Sequence, residues 1–275
     1  MPQSSSLLVK LDFEEILVKN KVKEKLKQGK AVMGALVTVN DPLTLHVMAN
    51  AGFDYLLVDT QHSVIGTDTL FSIIKGLNPT ESEVIVRVIW NDRALINQVF
   101  DFGADGVIVP FTNTAEEVEQ AITAAKYPPR GIRSWGPRYT DRYGKTPDEY
   151  WENANEQTLV FPQIETVQAV ENLDSILQVD GVDGIMIGPN DLAMSFGMTP
   201  GIGKKETEPI FQQVLDKCKE YNVPWGMFTV TLEIAEQWFK KGGQIGVVGG
   251  DFGWIAEGAE NTLKQVNSLL ADINR

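Results

Sequence analysis

Eight short apolar runs, separated by segments of helical periodicity, constrain this chain more than any other feature. The runs cover residues 32–39, 55–59, 84–89, 106–110, 159–164, 184–187, 223–228 and 245–248. They lack strict apolar–polar alternation, as expected of parallel strands buried on both faces. Helical spacing marks residues 42–51, 67–76, 92–102, 114–126, 166–177, 209–221, 232–241 and 255–273. The links AGFDYLLVD, FGADGVIVP, DGVDGIMIG and KGGQIGVVG each put Gly where a helix ends and a strand begins. This rhythm predicts an α/β fold, a single-domain (β/α)8 TIM barrel, for which ~250 residues is the usual length. An open doubly wound sheet is the rival, but no GxGxxG follows the first run.

Residues 1–30 read as a lead-in segment with a helix over 14–28, and residues 31–275 as the barrel domain. The segment 130–157 reads as a long irregular, polar-aromatic connection, a type that is usually functional or interfacial.

Charge excludes two classes of partner. The chain of 275 residues carries 37 acidic and 24 basic side chains, a net charge of −13. Binding to nucleic acid or to an anionic membrane relies on Lys and Arg, so neither is expected. The single cysteine, Cys218, rules out an internal disulfide and fits a reducing compartment. Within KCKEY it reads as an incidental helix thiol. No signal peptide, transit sequence or run of ~18 apolar residues is evident, and a cytoplasmic location is expected.

A barrel builds its active site at the C-terminal ends of its strands. Run two ends in Asp59, with His62 three residues on; run three contains Arg87; run five ends in Gln163 and Glu165; run six leads into IGPNDLA with Asp191. Charged groups at the lips of apolar strands are costly unless paired or bound to an ion. Glu165 and Asp191, on adjacent strands, suit a shared oxygen-liganded cation, Mg²⁺ or Mn²⁺, with Co²⁺ also possible. Such an ion acts as a Lewis acid on a 2-oxo acid and stabilises its enolate. Arg87 faces the same oxyanion, and backbone N–H groups around Gly188, Pro189, Asn190 and Asp191 suit the carboxylate. His62 with Asp59 reads as a base, the carboxylate fixing the imidazole tautomer.

At these residues the chain resembles the HpcH/HpaI class II pyruvate aldolases, which include 4-hydroxy-2-oxoheptanedioate aldolase and, more distantly, macrophomate synthase. The resemblance rests on AGFDYLLVDTQH, VIVRVIWND, FGADGVIVP, YPPRGIRSWGP, FPQIET and VDGVDGIMIGPNDLAMSFG, in that order, and runs from about Lys25 onward. It implies a metal-dependent aldolase that reversibly cleaves a 4-hydroxy-2-oxo acid to pyruvate, or a close analogue, and an aldehyde. It also implies a homohexamer with the C-terminal helix exchanged between subunits, metal ligands at Glu165 and Asp191, and Gln163 beside metal and pyruvate. The His62–Asp59 pair would act through water on the hydroxyl or aldehyde oxygen. Departures are Gln61, where members often have Glu, and two acceptor-pocket positions: Leu36 in place of a Trp and Phe228 in place of a smaller aliphatic residue.

Blander readings compete with each assignment. His46 fits an ordinary helix position, Glu165 and Asp191 suit helix caps, and Arg87 suits a structural ion pair. The Arg- and aromatic-rich stretch 130–143 suits either an acidic acceptor or a subunit interface. A Schiff-base aldolase needs a strand-end lysine, whereas Lys75, Lys126 and Lys145 fall in helices or loops. Two alternatives remain: a phosphate-binding sugar isomerase or synthase using VVGGDFGW, and an inactive barrel serving as a binding or structural subunit.

Overall fold

Eight parallel strands pair in sequence order and the last returns to the first, closing the barrel. They are β1 (Val32–Val37), β2 (Tyr55–Asp59), β3 (Glu83–Arg87), β4 (Gly106–Val109), β5 (Leu159–Ile164), β6 (Ile185–Ile187), β7 (Trp225–Phe228) and β8 (Ile245–Gly250). The structure, a computed structural model, describes residues 19–273 apart from 78–79, 140–141, 145 and 230. Around the strands run α1 (Lys21–Lys27), α2 (Pro42–Ala49), α3 (Thr67–Leu77), α4 (Arg93–Phe102), α5 (Ala115–Ala125) and α6 (Pro147–Gln157). There follow α7 (Val167–Glu171), α8 (Leu173–Leu177), α9 (Pro189–Ser195), α10 (Glu208–Glu220), α11 (Leu232–Lys240) and α12 (Asp251–Ile273).

The helix-to-strand links explain how the sheet is set. In all four, the first glycine takes the left-handed turn, with φ of +100° at Gly103. Three of them then place an Asp that caps the strand before. Asp54 accepts from Met33 N at 2.9 Å, Asp105 from Val84 N at 2.7 Å and Asp183 from Val160 N at 2.9 Å. A local turn is thereby coupled to strand register.

Inward side chains such as Leu57, Ile85, Ile108, Phe161 and Met186 fill the barrel, and Val22 and Leu26 of α1 close its N-terminal end. Outward strand residues pack with the helices in a second, larger core. Burial of each such side chain stabilises the fold by roughly 1.5–3 kcal/mol.

Several expectations need correction. The helix expected over 14–28 is helical over Lys21–Lys27, where Asn20 caps it; residues 14–18 lie outside the described residues. The helix expected over 166–177 is interrupted at Asn172, which leaves α-geometry at φ −94°, ψ 7°. Segment 130–157 is not wholly irregular: Pro147–Gln157 is a helix with a capping box between Thr146 and Glu149. The last helix starts at Asp251, not 255, and beyond that residue its whole length is exposed.

Candidate active site

Asp59 and Arg87 stand side by side at the C-terminal ends of β2 and β3, paired in register. The guanidinium forms a fork on the carboxylate, with Nε to Oδ1 at 2.9 Å and Nη2 to Oδ2 at 2.5 Å. Both groups are buried. Arg87 also lies over the Phe228 ring, 4.7 Å from its centroid. Thr60 fixes the strand end, donating through N and Oγ1 to the Arg87 carbonyl.

This fork corrects the expected Asp59–His62 base. Asp59 Oδ1 also accepts from the backbone amides of Gln61, at 3.0 Å, and His62, at 3.3 Å. The carboxylate therefore shapes the loop that carries His62, while the bidentate, charge-assisted pair with Arg87 takes both oxygens. The imidazole itself is exposed and forms no hydrogen bond among the described residues.

Glu165 follows β5 and is 1% exposed, so its environment is set by the protein. Phe111 N donates to Oε1 at 2.7 Å and Gln163 Nε2 donates to Oε2. Burial pushes the carboxyl above its ordinary value; these two donors oppose the shift, nearby Asp191 adds to it and Arg87 lowers it. Phe111 holds its amide there from a left-handed backbone, φ +52°, with its ring against Trp90. Strain of this kind persists where the surroundings over-determine it. No sequence signal pointed to Phe111, since a non-glycine left-handed residue has no local signature.

Gly188 follows β6 as the N-cap of α9, and an added Cβ there would stand 2.6 Å from Glu165 Oε2 and 2.9 Å from Gln163 Nε2. Glycine thus makes room for the carboxylate and amide. The expected row of amides is shorter than anticipated. Gly188 N donates to Ile164 O at 3.1 Å and Pro189 has no N–H. Asn190 and Asp191 occupy the first turn of α9, whose N-cap supplies no side-chain bond, so their amides are the free donors. Gln163 Oε1 is buried with no donor.

Test of a divalent cation against these residues gives a fit. Two carboxylates, Glu165 buried and Asp191 half-buried, together with the orphaned buried amide oxygen of Gln163, are all-oxygen donors of the kind a hard cation takes. Among the described residues no group of three or more His, Cys, Asp or Glu is placed to hold a metal ion, here or elsewhere, so this site offers two carboxylates and not three.

Leu36, His62 and Phe228 share one cavity of about 560 Å³ between the ends of β1, β2, β7 and β8. Other expectations separate from the site. Asp251, in VVGGDFGW, fills its own corner as an anion would, accepting from Thr38 N, Thr38 Oγ1, Val39 N and Phe252 N. That carboxylate leaves no phosphate cradle there. Arg133 turns inward to Asp101 at 2.8 Å, and Arg142 to Glu83 at 2.8 Å and Asp105 at 3.3 Å, so neither serves an acceptor. Lys126 has an amine depressed to about 7 by burial and by Lys23, yet it bonds Asn155 O and Thr158 O at the opposite end of the barrel. Lys75 donates to Tyr139 O, and Lys145 lies outside the described residues. Cys218 is buried and its thiol is pushed up to about 12, which removes it as a nucleophile. No helix among the described residues is long and apolar enough to cross a membrane.

The profile of the HpcH/HpaI aldolase/citrate lyase family matches residues 33–257. A 4-hydroxy-2-oxo-heptane-1,7-dioate aldolase of Escherichia coli is 33% identical over 245 residues, 88% of this chain and 93% of that protein. The HpcH/HpaI aldolase structure from Desulfitobacterium hafniense DCB-2 superposes with a TM-score of 0.82 at 30% identity, covering 89% of this chain and 95% of its own. Two more remote structures share the fold. They are macrophomate synthase (TM-score 0.83, 21% identity, 99% of both chains) and a citrate lyase β subunit from M. tuberculosis, solved with oxaloacetate and magnesium (0.55, 14%, 81% and 92%). Taken with the closed barrel and the polar rim at Asp59, Arg87, Gln163, Glu165 and Asp191, these matches make the chain a member of the HpcH/HpaI aldolase/citrate lyase family.

Proposed function

We propose that this protein is a divalent-metal-dependent aldolase that reversibly cleaves a 4-hydroxy-2-oxo acid to pyruvate, or a close analogue, and an aldehyde. The observation that carries this reading is the clamp on Glu165: a buried carboxylate held by the Phe111 amide and Gln163, in the space Gly188 leaves, beside Asp191 and Arg87. Glu165 and Asp191 hold Mg²⁺ or Mn²⁺, with Co²⁺ as a further candidate. When bound, the ion supplies Lewis acidity at the 2-oxo group.

The chain's own residues do the rest. The Asn190 and Asp191 amides receive the substrate carboxylate. His62, acting through water, takes the proton of the C4 hydroxyl. The C3–C4 bond breaks, its electron pair moves to the 2-oxo acid as an enolate, and the aldehyde leaves. Arg87, preorganised by Asp59, offers N–H donors to the enolate oxygen. A proton returned to C3 completes pyruvate. The exposed stripe of Leu263, Val266, Leu269, Leu270 and Ile273 on α12 supports a helix exchanged within a homohexamer.

The test is pyruvate release from a 4-hydroxy-2-oxo acid by chelator-stripped protein, before and after Mn²⁺ is restored. Activity restored by Mn²⁺ and absent in Glu165→Gln is the expected result; metal-independent activity, or activity retained in the variant, would contradict the reading.

A further inference from the structure

The aldolase reading leaves the aldehyde unspecified, and the cavity beside His62 bears on its chemistry. The wall is mainly apolar, formed by Leu36, Val64, Phe228, Val247 and Phe252. Apart from His62, its polar side chains are already engaged. Thr38 Oγ1 donates to Asp251 Oδ1 at 2.8 Å. Ser63 Oγ donates to the Asp59 carbonyl and accepts from Ile65 N at 3.1 Å. Four donor groups from Thr38, Val39 and Phe252 saturate Asp251, an acidic residue in the wall. His62 is committed, through water, to the oxygen at the reacting end of the acceptor and not to its tail.

No lysine or arginine lines this cavity among the described residues. The nearby cation, Arg87, stacks over the Phe228 ring and is forked to Asp59. A charged acceptor would therefore lose hydration and meet an acid in place of a counter-ion. An alkyl or aryl tail would meet surfaces of its own kind.

We infer that the acceptor is an uncharged aldehyde with an aliphatic or aromatic tail, selected by Leu36, Val64 and Phe228, and not an aldehyde that ends in a carboxylate. This rests on the aldolase reading proposed above. It sets the chain apart from what the name of its E. coli relative implies. Cleavage of a 4-hydroxy-2-oxoheptane-1,7-dioate between C3 and C4 gives pyruvate and a four-carbon aldehyde bearing a terminal carboxylate.

The experiment uses the Mn²⁺-loaded full chain and a pair of four-carbon aldehydes, butanal and 4-oxobutanoate, each added to pyruvate. The same sample is checked for deuterium exchange into the pyruvate methyl group. We expect kcat/KM for butanal to exceed that for 4-oxobutanoate by about tenfold or more. Val64 is 87% exposed, so Val64→Lys tests charge at the lip without disturbing the core. This variant should narrow or reverse the ratio, and Val64→Leu should not. Exchange with equal or greater kcat/KM for 4-oxobutanoate in the unmodified chain would overturn the acceptor class while leaving the aldolase reading intact. Absence of exchange and of both additions would remove the aldolase reading and the acceptor class with it.

Discussion

Gly188→Ala separates the clamp on Glu165 from the stability of the barrel. Gly188 sits at φ −87°, ψ 88°, so no left-handed backbone is lost on substitution. The new Cβ would stand 2.6 Å from Glu165 Oε2, where ordinary contact begins at 3.4 Å. The carboxylate must therefore move by about 0.8 Å against the Phe111 amide and the Gln163 side chain that hold it. Metal–ligand distances tolerate only about 0.2 Å. Loss of Glu165 from the ligand set should weaken Mn²⁺ binding by about 100-fold. Overpacking a single methyl costs about 1–3 kcal/mol, so the fold survives. Mn²⁺ titration by calorimetry, with urea unfolding on the same preparation, reads the two effects apart. Binding within threefold of the unmodified chain, in a folded variant, would refute the assignment of Glu165 as a ligand.

Two further substitutions test the rim and the opposite end of the barrel. Asp59→Asn keeps one oxygen for the Gln61 and His62 amides but breaks the fork with Arg87; we expect about 3 kcal/mol of lost stability by urea unfolding and about 100-fold lower pyruvate release. At the N-terminal end, burial and Asp105 push the Glu83 carboxyl up to about 9, with Arg142 opposing. The folded chain then keeps a proton the unfolded chain has lost, so this contribution is full below the ordinary Glu value and disappears as pH rises toward 9. Lys126, depressed to about 7, works in the opposite sense above that pH. Glu83→Gln should therefore gain on the unmodified chain steadily from pH 5 to pH 9, and parallel unfolding curves would contradict this.

The rhythm of the chain made the barrel legible because each unit carries its own local signals. Gly103 and Asp105, for example, end a helix, start a strand and cap the strand before within three residues. The gathering of polar residues at the strand ends was legible for the same reason, since a charge such as Glu165 after a largely apolar run has few structural uses. Contacts set by closure were not legible. Asp59 lies three residues from His62 in sequence, but the register sets it against Arg87, 28 residues away, and the bidentate pair wins. The strained amide of Phe111 is hidden for the same reason, because its partner Glu165 comes from the next strand. Helix α6 is polar along most of its length and buries only Tyr150 and Ala154, so periodicity alone was too weak. Its Thr146-Pro147-x-Glu149 start was the readable signal.

If the proposed chemistry holds, this rim labilises the methyl protons of a 2-oxo acid. Chelator-stripped protein in deuterated water with pyruvate, followed by loss of the methyl proton NMR signal, tests it without any aldehyde. Exchange is expected only when Mg²⁺ or Mn²⁺ is added, and none in Glu165→Gln. No exchange in the unmodified chain despite demonstrated metal binding, or exchange that persists in Glu165→Gln, would contradict it.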